Sequence, residues 1–212
     1  MKEILKVEDN QYELTDRSTE IDTTSQSKEM RDIVHEIKDT MRKQGVKHLS
    51  APAIGFQKRI FCIDFEDLEI KTYINPMIMQ ANGITLSRET CTSIPGKTFL
   101  IPRASEVHVI YQRPTGQSES RQLLGVAAVV FQHELNHLDG ILLSDLGLEV
   151  DEDFDNATEE EKSKIIEMYL DALDIKTKEL DKEVEEDPDL KQLKEGIDFL
   201  EKVAKGEVQQ RL

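Results

Sequence analysis

The chain has 212 residues and a formal net charge of −16, with 38% apolar and 33% charged residues. This length allows one domain with a substantial core, with or without an appended segment. No apolar run is long enough to span a membrane, and the acidic balance argues against direct binding of nucleic-acid phosphates. Two cysteines are too few for a disulfide scaffold, which favours a reducing, cytoplasmic location.

The acidic residues are concentrated near the C-terminus. Residues 151–212 contain 21 Asp and Glu against 10 Lys and Arg, so this segment carries −11 of the net charge. It contains no motif for chemistry, and its apolar spacing is helical. We therefore predict a domain over residues 1–150 and an acidic helical extension over residues 151–212.

The first predicted elements are a helix and two strands. Residues 28–44 place apolar side chains three and four positions apart, which indicates an amphipathic helix that Gly45 ends. Residues 59–64 form a short apolar run typical of a buried strand. Residues 73–76 have the pattern of a strand that runs into a turn at Pro76.

A further strand and a second helix follow. Residues 107–111 are β-branched and aromatic, which indicates a strand, and residues 123–138 have the pattern of a long buried helix ended by Gly140. One helix, several strands and a buried helix together predict an α+β fold, with antiparallel or mixed sheets around this central helix.

The extension has its own helical signals. Thr158 and Glu161 have the spacing of a capping box. Beyond Pro188, apolar residues recur every three or four positions: Leu190, Leu193, Ile197, Leu200 and Ala204. Such a stripe is the seam of a helix that needs a partner. In one interpretation it packs within its own chain, and in the other it mediates dimerisation or docking.

The second helix contains the most informative motif, His133-Glu-Leu-Asn-His137. Histidines four positions apart leave the same face of a helix one turn apart, so they can bind one metal ion. Glu134 of this H-E-x-x-H pattern can then reach a bound water as general base. The preceding residues 126–131 are apolar, and burying these polar groups without purpose would be costly. The other interpretation is a histidine pair on a charged helix surface.

A catalytic metal of this kind takes a third protein ligand. The candidates are acidic residues and His35, His48, His108, Cys62 and Cys91. Cys62 lies in an apolar run and has the pattern of a small core residue. Cys91 lies in a polar, turn-like stretch where a thiol has little reason to pack, and the alternative there is a free surface cysteine.

Three blocks of the sequence resemble those of the peptide deformylases. The family pattern E-G-C-L-S corresponds to Glu89-Thr-Cys-Thr-Ser93, and Q-H-E-x-D-H-L-x-G corresponds to Gln132–Gly140, with Asn136 in place of the aspartate. A first block, usually G-x-G-x-A-A-P-Q-I-G, corresponds to residues 46–55. The resemblance covers roughly Lys2 to Leu148.

The resemblance implies hydrolysis of the formyl group from N-terminal methionine, with formylated nascent peptides as substrates. It implies Cys91, His133 and His137 as ligands of one divalent ion and Glu134 as the proton carrier. The family uses ferrous iron, and zinc, nickel or cobalt also fit such a ligand set. Because an acidic extension is repelled by ribosomal RNA, we expect no electrostatic docking through it.

The resemblance also implies supporting roles for other residues. The Thr92 backbone N–H donates to the oxyanion, and Glu89 pairs with Arg103 beside the cysteine. The implied substrate-binding residues are Leu49, Ala53, Val129 and Val130. The valines, together with Val126, line a methionine pocket in one interpretation and form plain helix core in the other.

The first block departs from the family pattern. Ala53 stands where the family has a glutamine that donates to the oxyanion, and losing such a donor typically costs about 10²–10³ in turnover. Gln57 is a nearby candidate substitute. His48 stands where the family has a glycine. In one interpretation its side chain narrows the substrate cleft, and in another it adds a polar contact. In the third, the match to the family pattern shifts by one residue and His48 lies outside the cleft. The alternative function is a non-catalytic or weakly catalytic paralogue that binds a metal and a peptide N-terminus.

Overall fold

The computed structural model describes residues 2–23, 28–65 and 69–183. The helices of this part of the chain are α1 (Val7–Thr15), α2 (Lys28–Gln44), α3 (Val126–Leu138), α4 (Leu143–Leu146), α5 (Glu152–Asn156) and α6 (Glu159–Glu183). The strands are β1 (His48–Ser50), β2 (Ile60–Phe65), β3 (Glu69–Asn82), β4 (Thr85–Cys91), β5 (Ile94–Arg103), β6 (Glu106–Gln112), β7 (Ser118–Leu124) and β8 (Leu148–Val150).

The strands form two sheets. One has five strands in the order β1-β2-β3-β6-β7, and the other has three in the order β4-β5-β8. Every pair of neighbours is antiparallel. The predicted α+β fold with antiparallel sheets is therefore confirmed.

Helix α3 is buried on more than one side. Phe131 is fully buried, and its ring meets the rings of Phe61 and Tyr73 edge-on, with centroids 5.1 and 5.4 Å apart. Other turns of the same helix bury His133, Glu134 and His137. Aromatic packing on the five-stranded sheet thus fixes the helix that carries the polar residues.

The first predicted helix and the two predicted internal strands are confirmed. Helix α2 spans Lys28–Gln44 and buries its apolar stripe, including Ile33 and Ile37. Gly45 follows with φ 68°, the left-handed conformation that favours glycine after a helix. Strand β2 begins and ends one residue later than the predicted run of residues 59–64. Strand β6 extends one residue beyond each end of the predicted run of residues 107–111.

The structure corrects two element boundaries. Strand β3 does not end in a turn at Pro76: the register shifts between Ile74 and Met77, and Asn75 takes φ 46°, so a bulge accommodates the proline and the strand continues. Leu123 does not begin a helix, because it lies in β7 and pairs with Val107 of β6. Gly125, with φ 55°, separates this strand from α3.

The beginning of the extension packs against the preceding part of the chain. The predicted capping box at the start of α6 is confirmed: the Thr158 N–H donates to Glu161 Oε2 at 2.8 Å, and the Glu161 N–H donates to Thr158 Oγ1 at 3.3 Å. Tyr169 packs on the cluster that contains Leu146, and its hydroxyl donates to the Leu146 carbonyl. The apolar stripe from Leu190 to Ala204 lies outside the described residues.

In the part of the chain that the structure describes, no helix is both long and apolar enough to cross a membrane.

Candidate metal centre and substrate cleft

Helix α3 and the β4–β5 hairpin bring Cys91, His133 and His137 together. Their ligand-type atoms lie within 4.8 Å of one another, and all three residues are buried. Cys91 Sγ is 3.2 Å from His137 Nε2. Cys91 ends β4 and is only 6% exposed, so it is not a surface cysteine.

The other candidate thiol and a further candidate imidazole lie elsewhere. Cys62 is fully buried in β2, where its Sγ lies 3.6 Å from Thr72 Oγ1. His108 is exposed on β6, and its Nε2 lies 2.6 Å from Ser120 Oγ. These residues are therefore separate from the group around Cys91.

The three buried side chains fit a single divalent cation. His133 Nδ1 is engaged by Glu89 Oε2 at 2.9 Å, which leaves Nε2 for a metal. Burial lowers the pKa of His137, which favours the neutral ring that ligates metals. The Ser93 N–H donates to Cys91 Sγ at 3.4 Å. One sulfur and two imidazole nitrogens form a donor set typical of Zn²⁺ and neighbouring transition metals.

A buried ion pair lies behind His133. Arg103 donates from Nε to Glu89 Oε1 at 2.8 Å and from Nη2 to Oε2 at 3.0 Å. Its Nη1 donates to Asn136 Oδ1 at 2.5 Å, so the asparagine supplies the acceptor that the family's aspartate would offer. Burial by itself would raise the pKa of Glu89, but the Arg103 charge and the His133 hydrogen bond outweigh burial and hold that pKa at about 2. Glu89 therefore stays ionised against the ring of His133.

Glu134 contacts His48, which lies 86 positions earlier in the sequence. Its side chain is 3% exposed, and Oε1 lies 2.5 Å from His48 Nδ1. Burial by itself would raise the pKa of Glu134, but the hydrogen bond and charge of His48 lower it to about 2. Burial by itself would lower the pKa of His48, but the hydrogen bond to Glu134 and the Glu134 charge together outweigh burial and raise it. His48 thus adds a polar contact, and the interpretation that places it outside the site is wrong.

A cleft of about 490 Å³ opens beside these residues. The α3 residues that line it are Val126, Val129, Val130 and His133, and those from β1 and β4 include His48, Thr85, Ser87 and Glu89. Val126 is exposed, Val129 and Val130 are half-buried, and Val130 also packs against the core cluster that contains Phe131.

Two other predicted substrate-binding side chains do not line this cleft. Leu49 is 2% exposed and Ala53 is 3% exposed, and both belong to the hydrophobic cluster under α2. Gln57 does not replace the missing glutamine, because its Nε2 donates to the Glu13 carbonyl and its Oε1 accepts from Ser18 Oγ. Both polar atoms of the Gln57 side chain are therefore hydrogen-bonded to the N-terminal segment.

The turn after Cys91 is held by the N-terminal segment. Lys6 Nζ donates to the Thr92 carbonyl at 2.5 Å, and the Val7 N–H donates to the Ser93 carbonyl at 2.9 Å.

The sequence did not predict the role of Lys6, because no motif contains this residue. His48 was considered as a candidate metal ligand and as a departure from the family pattern, but the sequence did not predict its contact with Glu134.

The α+β fold and the buried Cys–His–His group beside Glu134 define a hydrolase with a metal-binding H-E-x-x-H helix. Residues 1–149 match the family model described as polypeptide deformylase. The peptide deformylase of Dictyoglomus turgidum is 34% identical over 120 residues, which are 57% of this chain and 78% of that protein. The chain belongs to the peptide deformylase family.

Further relatives agree in sequence and in fold. The peptide deformylase of Symbiobacterium thermophilum is 33% identical over 141 residues, 66% of this chain and 65% of that protein. The crystal structure of the Thermotoga maritima peptide deformylase superposes with a TM-score of 0.63 at 29% identity, covering 69% of this chain and 97% of that one. A Synechococcus elongatus peptide deformylase in complex with actinonin gives a TM-score of 0.63 at 27% identity, covering 69% and 79%.

Proposed function

We propose that this protein removes the formyl group from formyl-methionyl N-termini of newly made polypeptides. The observation that carries the proposal is the convergence of Cys91, His133 and His137 beside a cleft that His133 lines, with Glu134 next to them in α3. These three residues would hold one divalent ion. The donor set is compatible with ferrous iron as the cellular metal and with zinc, nickel or cobalt.

The protein's own groups would divide the reaction among them. A bound divalent cation supplies Lewis acidity, which polarises the formyl oxygen and acidifies water. Glu134 accepts the water proton at Oε2, which has no hydrogen-bond partner among the described residues, and passes it to the leaving nitrogen. The water oxygen bonds to the formyl carbon, the carbon–nitrogen bond then breaks, and formate and a free amine are released. The Thr92 N–H donates to the oxygen that gains negative charge, while Val129 and Val130 contact the methionine side chain.

Formate release tests this proposal. We expect anaerobically prepared, iron-loaded protein to release formate from a formylated methionyl peptide. Glu134→Gln should abolish release while one ion per chain stays bound, whereas Glu149→Gln, an exposed residue of β8, should match the wild type. No formate from the iron, zinc, nickel or cobalt form, each verified at one ion per chain, would refute the proposal.

A second candidate function is a paralogue that binds a metal and a peptide N-terminus with little or no turnover. It is favoured by Ala53, which offers no side-chain donor, and by the engagement of Gln57 with Glu13 and Ser18. Calorimetry with a formylated peptide distinguishes the two: tight binding without formate supports the paralogue, and binding with formate supports the enzyme.

We further propose a cytoplasmic protein with a catalytic domain over residues 1–150 and a helical extension over residues 151–212. The boundary is supported by β8, which pairs with β5 and ends at Val150. For the extension we propose packing within its own chain rather than dimerisation, and the contact between Tyr169 and the Leu146 carbonyl supports this for helix α6. Light scattering on the full chain tests this choice, since a monomer is expected and a dimer would contradict it.

A further inference from the structure

His48 is held at the start of a short strand that packs beside the H-E-x-x-H helix. Its backbone pairs with Ile63 of β2, so the position of its Cα is fixed by the five-stranded sheet. Its ring lies edge-on to His133, with centroids 5.1 Å apart and planes at 71°. The side chain is 30% exposed and lines the cleft. His48 therefore forms part of the cleft wall at the candidate metal centre.

The contact with Glu134 separates the two carboxylate oxygens. Oε1 lies 2.5 Å from His48 Nδ1, whereas Oε2 is buried and has no hydrogen-bond partner among the described residues. The terminal torsion of a glutamate is intrinsically broad. A short hydrogen bond to a carboxylate is among the stronger ones that proteins form, so it can select one orientation.

Neighbouring polar groups do not compete for this role. Both oxygens of Glu89 are occupied by Arg103, and Oε2 is shared with His133 Nδ1. Cys91 Sγ lies against His137 Nε2. Across residues 2–23, 28–65 and 69–183, His48 is the side chain that the structure places in hydrogen-bond contact with Glu134.

We propose that His48 is a positioning residue for Glu134: its Nδ1–H holds Oε1, so that Oε2 is presented to the reacting water. The inference rests on the proposed function, because it assumes that Glu134 moves a proton. His48 stands 86 residues from Glu134 along the chain and at the position where the family's first block has a glycine. The arrangement is therefore a feature of this chain's own residues.

The first test compares crystal structures of the zinc-loaded wild type and His48→Ala. We expect the Glu134 carboxylate to keep Oε1 against His48 in the wild type and to rotate away from that orientation in the variant. An unchanged carboxylate in His48→Ala would overturn the inference. A cation ligated by His48 itself would also overturn it, since His48, His133 and Glu134 bring their ligand-type atoms within 4.8 Å of one another.

The second test measures kcat, KM and metal content in matched variants. Because small misplacements of a reacting group can cost about 10²-fold, we expect His48→Ala to lower kcat by about 10- to 100-fold with KM and metal content nearly unchanged. His48→Asn should recover most of kcat, because its amide N–H can stand close to the position of Nδ1–H. His108→Ala, at an exposed site on β6, is the control and should match the wild type.

Equal losses in His48→Ala and His48→Asn, or a higher kcat in His48→Ala, would contradict the positioning role. A rise in kcat would mean that the hydrogen bond mainly weakens Glu134 as a base. If metal-loaded wild type releases no formate, the proposed function fails, and the orientation of Glu134 in the two crystal structures still decides whether His48 holds its carboxylate.

Discussion

Arg103 and Glu89 form a bidentate ion pair in which both residues are buried, with Nε–Oε1 and Nη2–Oε2 distances of 2.8 and 3.0 Å. The same guanidinium donates to Asn136, and the same carboxylate contacts His133. The guanidinium of Arg103 thus connects β5 with β4 through Glu89 and with α3 through Asn136. The candidate metal centre depends on the positions of these elements, so the pair links stability to metal binding.

Removing the arginine should affect both properties. Breaking a buried ion pair leaves an uncompensated charge and typically costs about 3–5 kcal/mol, so we expect Arg103→Leu to lower the free energy of unfolding by about that amount. Loss of the support behind a metal-ligating histidine typically weakens metal affinity by about 10- to 100-fold. Urea unfolding and metal titration measure the two effects.

The control for this prediction is Arg121→Leu, whose side chain is 40% exposed and pairs with Glu119. Surface pairs contribute about 0–1 kcal/mol, so this variant should stay close to the wild type. A similar loss of stability in both variants would show that burial of the Arg103 pair is not the cause.

Metal removal should destabilise the fold. A ligand that binds only the folded state adds stability that grows with its concentration above Kd, so a chelator should lower the unfolding temperature and added Zn²⁺ should restore it. Cys91→Ala should lose this response, and Cys62→Ala, a second buried cysteine, should keep it. Scanning calorimetry with parallel elemental analysis measures both. A full zinc response in Cys91→Ala would exclude the thiol as a ligand.

Filling the cleft should weaken substrate binding. Val129 lines the cleft and is half-buried, so Val129→Phe should raise KM for a formyl-methionyl peptide by about tenfold, which corresponds to about 1.4 kcal/mol. Val126 is 76% exposed at the mouth of the cleft, so Val126→Phe should have a much smaller effect. Steady-state kinetics on both variants provides the comparison, and equal KM values would argue against a pocket at Val129.

Restoring the family's glutamine should raise turnover. One oxyanion donor is typically worth about 10²–10³ in kcat, and the tight packing around Ala53 will offset part of this gain. We therefore expect Ala53→Gln to raise kcat by about tenfold and to cost about 1–3 kcal/mol of stability through overpacking. Ala53→Leu adds similar bulk without a donor, so it should lose stability with no gain in kcat. A gain in both variants would rule out the donor as the cause.

Acid should weaken the β6–β7 hairpin through Glu119. Burial by itself would raise the pKa of Glu119, but hydrogen bonds from Arg121 and Arg113 lower it from 4.5 to about 2. A lowered folded-state pKa adds stability above the unfolded value, and this stability is lost as pH falls from about 4.5 towards about 2. The difference in unfolding free energy between wild type and Glu119→Gln should therefore shrink between pH 6 and pH 3. A constant difference over this range would refute the prediction.

Several features followed from short stretches of sequence. The spacing of apolar residues predicted α2 and its end at Gly45, because helix periodicity and glycine conformation are local properties. The four-residue separation of His133 and His137 predicted that their side chains share a helix face. The capping box at Thr158 was predictable for the same reason.

Other features depended on residues that are far apart in the chain. His48 reaches Glu134 across 86 positions only because β1 is paired with β2 and packed beside α3. The bulge at Asn75 keeps Pro76 within β3, which the local turn signal of this pair did not predict.

By itself, the sequence determined which side chains can bind a metal and which helix presents two of them, since those properties depend on residue type and on the geometry of one helical turn. The tertiary structure alone decided that Oε1 of Glu134 contacts His48 while Oε2 has no hydrogen-bond partner among the described residues. It also decided that Gln57 donates a hydrogen bond to the Glu13 carbonyl. The physical reason is that a hydrogen bond between distant residues requires a particular strand register and helix packing, and both arise from the burial of the whole core.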